Sequence, residues 1–412
     1  MYLRNNMVWL ALLSTAVLLS LLYLWYTVFP GTISGESVKY FTVEQVSQGR
    51  QYHRILRLVY ILNFLIQGAF LFWLVFGGRA AALSSWSMRF MGGSYWGGVL
   101  LFSLILWIFL SILNLPFSYF SSYYWQHRWG FSTQSTGGWW LDYAKGSAIE
   151  LFLFTAGVIL LFWVMSRFPK VWWLIGAVLF SVWLVVQMLI WPVVVSPLFN
   201  KFTPAKDPGV INMVQELAYK AEIPVDQVLV MDASSRTTQA NAYFTGLGRT
   251  KRIVLYDTLL EQYPPDEVRA VVAHEMAHWR QGHILKGLGW GIIAVFIIWG
   301  VLHLVLAQHI SRGMPIGPPI LPAVLLLILL VSFISSPLQN YISRKMEKEA
   351  DRVAVMLTGD AAAAVRLQIR LAGKNLSDVS PAPFIEWFSY SHPPALSRIA
   401  DIETEGAADD IK

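Results

Sequence analysis

Cysteine is absent from all 412 residues. Disulfides and thiolate sites are thereby excluded, and any bound metal must use nitrogen and oxygen ligands. Charge is also scarce, at 14% of residues against about a quarter in a soluble domain. Acids are the rarest in the first half, where Glu36, Glu44, Asp142 and Glu150 are the only ones before residue 200. With 56% hydrophobic residues, this excludes an ordinary soluble domain and points to a chain that lives in a lipid bilayer. The net charge of +6 does not single out nucleic acid, and no such partner is expected. The bases are spread along the chain, and an anionic membrane surface accounts for them equally well.

Long apolar runs are plentiful. A membrane span needs about 20 apolar residues. Seven windows qualify: 8–28, 56–77, 97–117, 149–167, 172–194, 287–308 and 319–339. The first is too long for a signal peptide and lacks a small-residue cleavage site, so it is read as a span. Aromatic residues crowd the span ends, as at Trp25-Tyr26, Tyr123-Tyr124-Trp125 and Trp172-Trp173, which suits the lipid–water boundary. The expected organisation is a five-span region over 1–195, a first soluble segment over 196–286, a hairpin of spans over 287–340 and a second soluble segment over 341–412. The fold class is mostly α, a polytopic membrane protein of seven transmembrane helices with a membrane-flanking domain that holds a small β-sheet. Strands are expected at Gln227–Met231, Ala242–Phe244 and Arg252–Tyr256, with Gly246 and Gly248 turning the chain before the last. Gly359 ends one helix and Asp360 caps the next. The acidic tail, Asp401 to Asp410, reads as solvated and disordered.

Seven spans put both soluble segments on the side of the C-terminus. Bases in the short loops are even: Arg4, Arg79, Arg89, Arg167, Lys170 and Arg312 on one side; Lys39, Arg50, Arg54, Arg57, Arg128 and Lys145 on the other. The soluble segments add nineteen bases, and this long-domain excess tips the side that carries them towards the cytoplasm. Cysteine-free composition and the lack of a lysine-rich or KDEL-type ending favour a bacterial inner membrane.

Within the first soluble segment stands His274-Glu275-Met276-Ala277-His278. Residues four apart share a helix face, so both imidazoles can hold one divalent ion, zinc being the usual choice. Glu275 lies beside them, able to take a proton from an activated water. Pro264-Pro265-Asp266-Glu267 opens the helix with proline and acids, and Val268, Val271 and Val272 supply its apolar face. A bland reading of the pattern is a buried helix with two satisfied histidines. The third ligand is not a histidine six residues past His278, because Ile284 stands there and Gln281 replaces the glycine between. His283, one position earlier, reads as a surface or boundary histidine. Glu347 supplies the carboxylate instead. Asp351, one turn on, is placed to accept the far N–H of a ligand histidine, while Glu349 points elsewhere into solvent. A purely charged helix face is the alternative for this run. The hairpin of spans between the two helices returns the chain to the same side of the membrane, so the metal sits at the membrane boundary.

The chain resembles the integral-membrane zinc metalloproteases that include the type I CAAX prenyl protease. The resemblance rests on Leu115-Pro116-Phe117-Ser118-Tyr119, Gly130-Phe131 with Gln134, Asp142 and Lys145-Gly146. It continues through Pro197-Leu198-Phe199-Asn200-Lys201-Phe202, Asn241-Ala242-Tyr243-Phe244 with Gly246, and the run from Lys251 to Leu260. The histidine motif, Glu347–Asp351 and Tyr390-Ser391-His392-Pro393-Pro394 complete it. One departure is Gln126-His127-Arg128-Trp129, where the family often carries acids. The resemblance implies seven helices around a water-filled chamber, one zinc ion per chain and cleavage near the C-terminus of a peptide or protein, with or without an attached lipid. It implies His392 as a donor to the developing oxyanion, with Arg398 on the following helix beside it. Asn241, Ala242 and Tyr243 read as an edge strand to which an extended peptide can add, or Asn241 as a simple turn residue. The competing readings are a membrane quality-control protease of the shorter HtpX type and a seven-helix receptor or transporter with a structural metal. Oligomeric state is not legible.

Overall fold

A computed structural model describes residues 7–245, 251–311 and 317–409. Gly246 and Gly248, Arg4 and Arg312, and Asp410 lie outside the described residues. Among the described residues, seven helices are long and apolar enough to cross a membrane. They are built on α1 (Met7–Val28), α2 (Val43–Phe76), α3 (Tyr95–Tyr119), α4 (Thr136–Arg167), α5 (Trp172–Ile190), and, after the motif helix, on His283–Ser311 and Leu321–Thr358. Each contains the core of one expected window, and most run past it, because hydropathy marks the lipid-exposed stretch rather than the helix end. At the start of α2, Thr42 and Gln45 form a reciprocal capping box, which carries the helix well before the apolar run. The helix Arg79–Phe90, between α2 and α3, was not expected.

The soluble segment opens with β1 (Phe202–Pro204) and α6 (Pro208–Ala221), followed by β2 (Gln227–Met231), β3 (Ala242–Thr245) and β4 (Arg252–Tyr256). The three expected strands are present. β1 was missed, since three residues ending in proline carry no alternation. The sheet order is β1-β2-β4-β3, with β2 and β4 parallel and β3 antiparallel at one edge.

Next comes the motif helix α7 (Pro265–Arg280), then α8 (His283–Ser311), α9 (Leu321–Thr358), α10 (Ala361–Lys374) and α11 (Ala395–Asp409). Pro265 starts α7 where no N–H is needed, and Asp266 and Glu267 oppose its dipole. Arg366 and Arg370 of α10 pair with these acids at 2.6 and 2.7 Å. Ala273 and Ala277 of α7 share one apolar core with Ala350 and Ala354 of α9. Small side chains let the two helix backbones approach closely. Gly282, with φ +65°, makes the sharp turn into α8. Gly359, also at φ +65°, ends α9, and Asp360 accepts the Ala363 N–H at 2.7 Å.

The acidic tail needs correction. It forms α11 and is ordered as far as Asp409. Ile399 and Ile402 are buried in the packing of this helix, Asp401 pairs with Lys348 at 2.9 Å, and Glu403 accepts from the Tyr40 hydroxyl at 3.0 Å. Those two isoleucines, three positions apart on one helix face, were outweighed by the acids in a purely compositional reading.

Candidate metal centre

The helical spacing of α7 sets the geometry. His274 and His278 turn their Nε2 atoms towards each other at 3.1 Å. Glu347, buried on α9, brings Oε2 to 3.3 Å from His274 Nε2 and Oε1 to 3.3 Å from His278 Nε2. These three residues form a group able to hold a metal ion. Ligand bonds of about 2.0–2.1 Å in a tetrahedron imply ligand–ligand edges of roughly 3.3–3.4 Å, so the spacing fits zinc. Glu347 Oε2 is buried and lies outside good hydrogen-bond geometry to His274 Nε2, an arrangement that a cation between the two atoms relieves.

The atoms behind these three are equally ordered. Asp351 Oδ1 lies 2.9 Å from His274 Nδ1, as its position one turn beyond Glu347 predicts. Arg398, expected near His392 on the following helix, lines the same cavities as His392 and forks Asp351 through Nε and Nη2 at 2.7 and 2.6 Å. It therefore reaches the centre through Asp351 and His274. Burial alone would lower the His274 pKa, but hydrogen bonds to Asp351 and Glu347 override it and hold the ring at about 10. Burial raises the Glu275 carboxyl above its usual range, and His274 and His278 offset this only in part.

On the other side of the centre, His283 holds the expected boundary position as the first residue of α8, but it is buried there, with Nδ1 2.9 Å from His278 Nδ1. Glu349 is partly exposed, and its Oε2 also meets His283 Nε2 at 3.1 Å. The Gly282 turn was the available signal: it folds position 283 back onto the last turn of α7.

His392 brings Nε2 to 3.3 Å from Glu347 Oε1 while remaining 60% exposed, open to a substrate. Its loop is pinned by two arginines. Arg344 donates to the carbonyls of Glu386 and Tyr390 at 3.0 and 2.6 Å, and buried Arg57 of α2 reaches Asp378 at 2.6 Å and the Tyr390 hydroxyl at 3.1 Å. Neither arginine was recognised from sequence, since nothing local links position 57 to position 378.

Asn241 directly precedes β3, and its Oδ1 accepts the Ala242 N–H at 2.9 Å. Ala242 is buried and Tyr243 is half-buried. A cavity of 150 Å³ touches Asn241, His274, Glu275, Asp351, His392 and Arg398. A larger one of 690 Å³ is lined by Gln239, Asn241, Asp378, Tyr390, His392 and Arg398, among others. The divergent stretch Gln126–Trp129 overlaps a short helix, Trp125–Arg128. His127 sits between the carbonyls of Tyr123 and Gln134 at 2.8 Å each, and Ser132 bridges to Thr237, in the segment that leads into Asn241.

Comparison with known proteins bears directly on this arrangement. Residues 204–406 match peptidase family M48, and residues 31–201 match the CAAX prenyl protease N-terminal region of five membrane helices. The CAAX prenyl protease 1 homolog of Arabidopsis thaliana is 33% identical over 71% of this chain and 70% of its own. The chain belongs to the CAAX prenyl protease 1 family of M48 peptidases. An uncharacterised metalloprotease of Bacillus subtilis, YhfN, is 28% identical over 96% of this chain and 97% of its own. The crystal structure of S. mikatae Ste24p shares the fold, with a TM-score of 0.82 over 97% of this chain and 99% of that one, at 24% identity. The M48 protein is thus an integral multi-pass membrane zinc metalloendopeptidase, and the receptor and transporter readings fall.

Proposed function

We propose that this M48 enzyme hydrolyses a peptide bond near the C-terminus of its substrate, with His274, His278 and Glu347 as zinc ligands. The observation that carries this reading is the convergence of Glu347 on both Nε2 atoms at 3.3 Å. When bound, zinc supplies Lewis acidity that polarises a carbonyl and acidifies water. Glu275, with its raised pKa, takes a proton from the attacking water and returns it to the leaving amine nitrogen. His392 donates through Nε2 to the charge that develops on the scissile carbonyl oxygen. Asp351, gripped by Arg398, holds His274 in orientation. An extended substrate adds to the free edge at Asn241, Ala242 and Tyr243 through main-chain hydrogen bonds.

A prenylated peptide is the first substrate to try, because the named relatives are CAAX prenyl proteases. The full-length likeness to a Bacillus protein supports a bacterial cytoplasmic membrane, and the base-rich soluble segments support a catalytic side facing the cytoplasm. The test uses zinc-loaded protein in detergent, offered a farnesylated C-terminal peptide beside the same peptide unmodified. Products are read by mass spectrometry. Release of a short C-terminal fragment is expected, faster from the farnesylated peptide. Cleavage confined to the interior of long unfolded chains would overturn the C-terminal reading and favour a quality-control protease.

A further inference from the structure

We propose that His283 and Glu349 are positioning residues that fix the tautomer of His278, forming a second outer arm of the metal centre opposite Asp351 and Arg398. The proposal rests on His274, His278 and Glu347 being the ligands.

Proton accounting carries the argument. His278 turns Nε2 towards Glu347 and His274, so that nitrogen must present a lone pair to a cation. A neutral ring with its lone pair on Nε2 carries its proton on Nδ1. That Nδ1 lies 2.9 Å from His283 Nδ1. Two N–H groups cannot face each other at this distance, so His283 Nδ1 accepts. His283 then carries its own proton on Nε2, 3.1 Å from Glu349 Oε2, which accepts it as a carboxylate. Every proton in the chain has one place. Reversing either ring would set two donors or two lone pairs against each other, and reversing His278 would close its Nε2 to metal.

The arm is built rather than incidental. The His283 side chain is 4% exposed, at the first turn of α8 directly after the Gly282 turn. Glu349 comes from α9, two positions beyond Glu347 and so on a different face of that helix. Lys286, on the same helix as His283, lies 3.8 Å from Glu349 and adds positive charge beside it. The two arms are alike in design. His274 leans on Asp351, which Arg398 holds. His278 leans on His283 and through it on Glu349, beside which Lys286 stands. Each ligand imidazole therefore ends at a carboxylate with a basic partner, and three helices, α7, α8 and α9, are locked in register by the second arm alone. A histidine retained only for packing would need none of these three alignments.

The test measures zinc affinity of the full-length protein in detergent by competition with a chelator, beside the thermal midpoint of the zinc-free protein. His283→Ala removes the acceptor, and zinc should bind about 10- to 100-fold more weakly. His283→Asn keeps an acceptor oxygen for the His278 N–H and should recover most of that loss. Glu349→Gln retains a carbonyl acceptor and should lose less than Glu349→Ala. Wild-type affinity in His283→Ala would overturn the proposal. So would a His283→Asn variant as weak as His283→Ala with an unchanged zinc-free midpoint, because the residue would then matter for something other than acceptance. His278→Ala runs in parallel and should lose zinc outright. Retention of zinc there overturns the ligand assignment itself, whereas its loss beside an unaffected His283→Ala overturns only the arm.

Discussion

Replacing Arg57 by methionine should destabilise the whole protein, although position 57 lies on a membrane helix far in sequence from the metal centre. Its guanidinium meets Asp378 at 2.6 Å, and the two side chains are 7% and 0% exposed. Asp378 Oδ1 has no hydrogen-bond partner among the described residues, so the bond at Oδ2 is the principal compensation for a buried charge. Removing one member of such a pair costs about 3–5 kcal/mol, chiefly because the other charge is stranded. Replacing both by apolar residues of similar size is close to neutral. The assay is a thermal midpoint of the detergent-solubilised protein for Arg57→Met, Asp378→Leu and the double variant. Both single variants should melt several degrees below the parent, and the double variant should return most of the way. Arg57→Met should also lower turnover, because Tyr390 loses a partner in the loop that carries His392. A single variant as stable as the parent, or a double variant no better than the singles, would show that charge burial does not hold this junction together.

The remaining expectations concern the metal centre. Glu275→Gln should keep one zinc per chain while cleavage falls about 10²- to 10⁴-fold; normal turnover would remove Glu275 as the base. Glu347→Ala should lose zinc, and full occupancy by elemental analysis would move the third ligand elsewhere. Zinc uptake should release a proton near neutrality, since His274 holds one up to about pH 10 and must surrender it to become a ligand. Apparent affinity should then rise with pH, by up to about tenfold per unit between roughly pH 6.5 and 8.5. A chelator competition that gives the same affinity at both ends of that range would contradict the protonation assigned to His274.

Periodic and local features of this chain were readable without coordinates. The helical four-residue spacing joined His274 to His278 and Glu347 to Asp351, and alternation located β2, β3 and β4. Apolar length found the seven spans but not where the helices stop, because polar turns such as those before Val46 and after Leu338 prolong them outside the hydrophobic layer. Contacts between distant segments were silent. Arg57 and Asp378 are 321 positions apart, and only the return of the chain after α10 brings them together. The place of His283 behind His278 was not legible, because the Gly282 turn that folds it back breaks the helical period. The Arg398 fork on Asp351 depends on how α11 lies against α9, which no local pattern encodes.

The helix α9 is one uninterrupted element of 38 residues, a rod of about 57 Å. Its first half crosses the bilayer and its last third carries Glu347. A hydrophobic layer thicker or thinner than that half tilts a spanning helix to match. The same tilt is delivered to Glu347, because the helix continues through Pro337 without a break. Lipid thickness thus becomes a physical input to this hydrolase, and turnover in vesicles should vary with acyl length at constant headgroup, passing through an optimum.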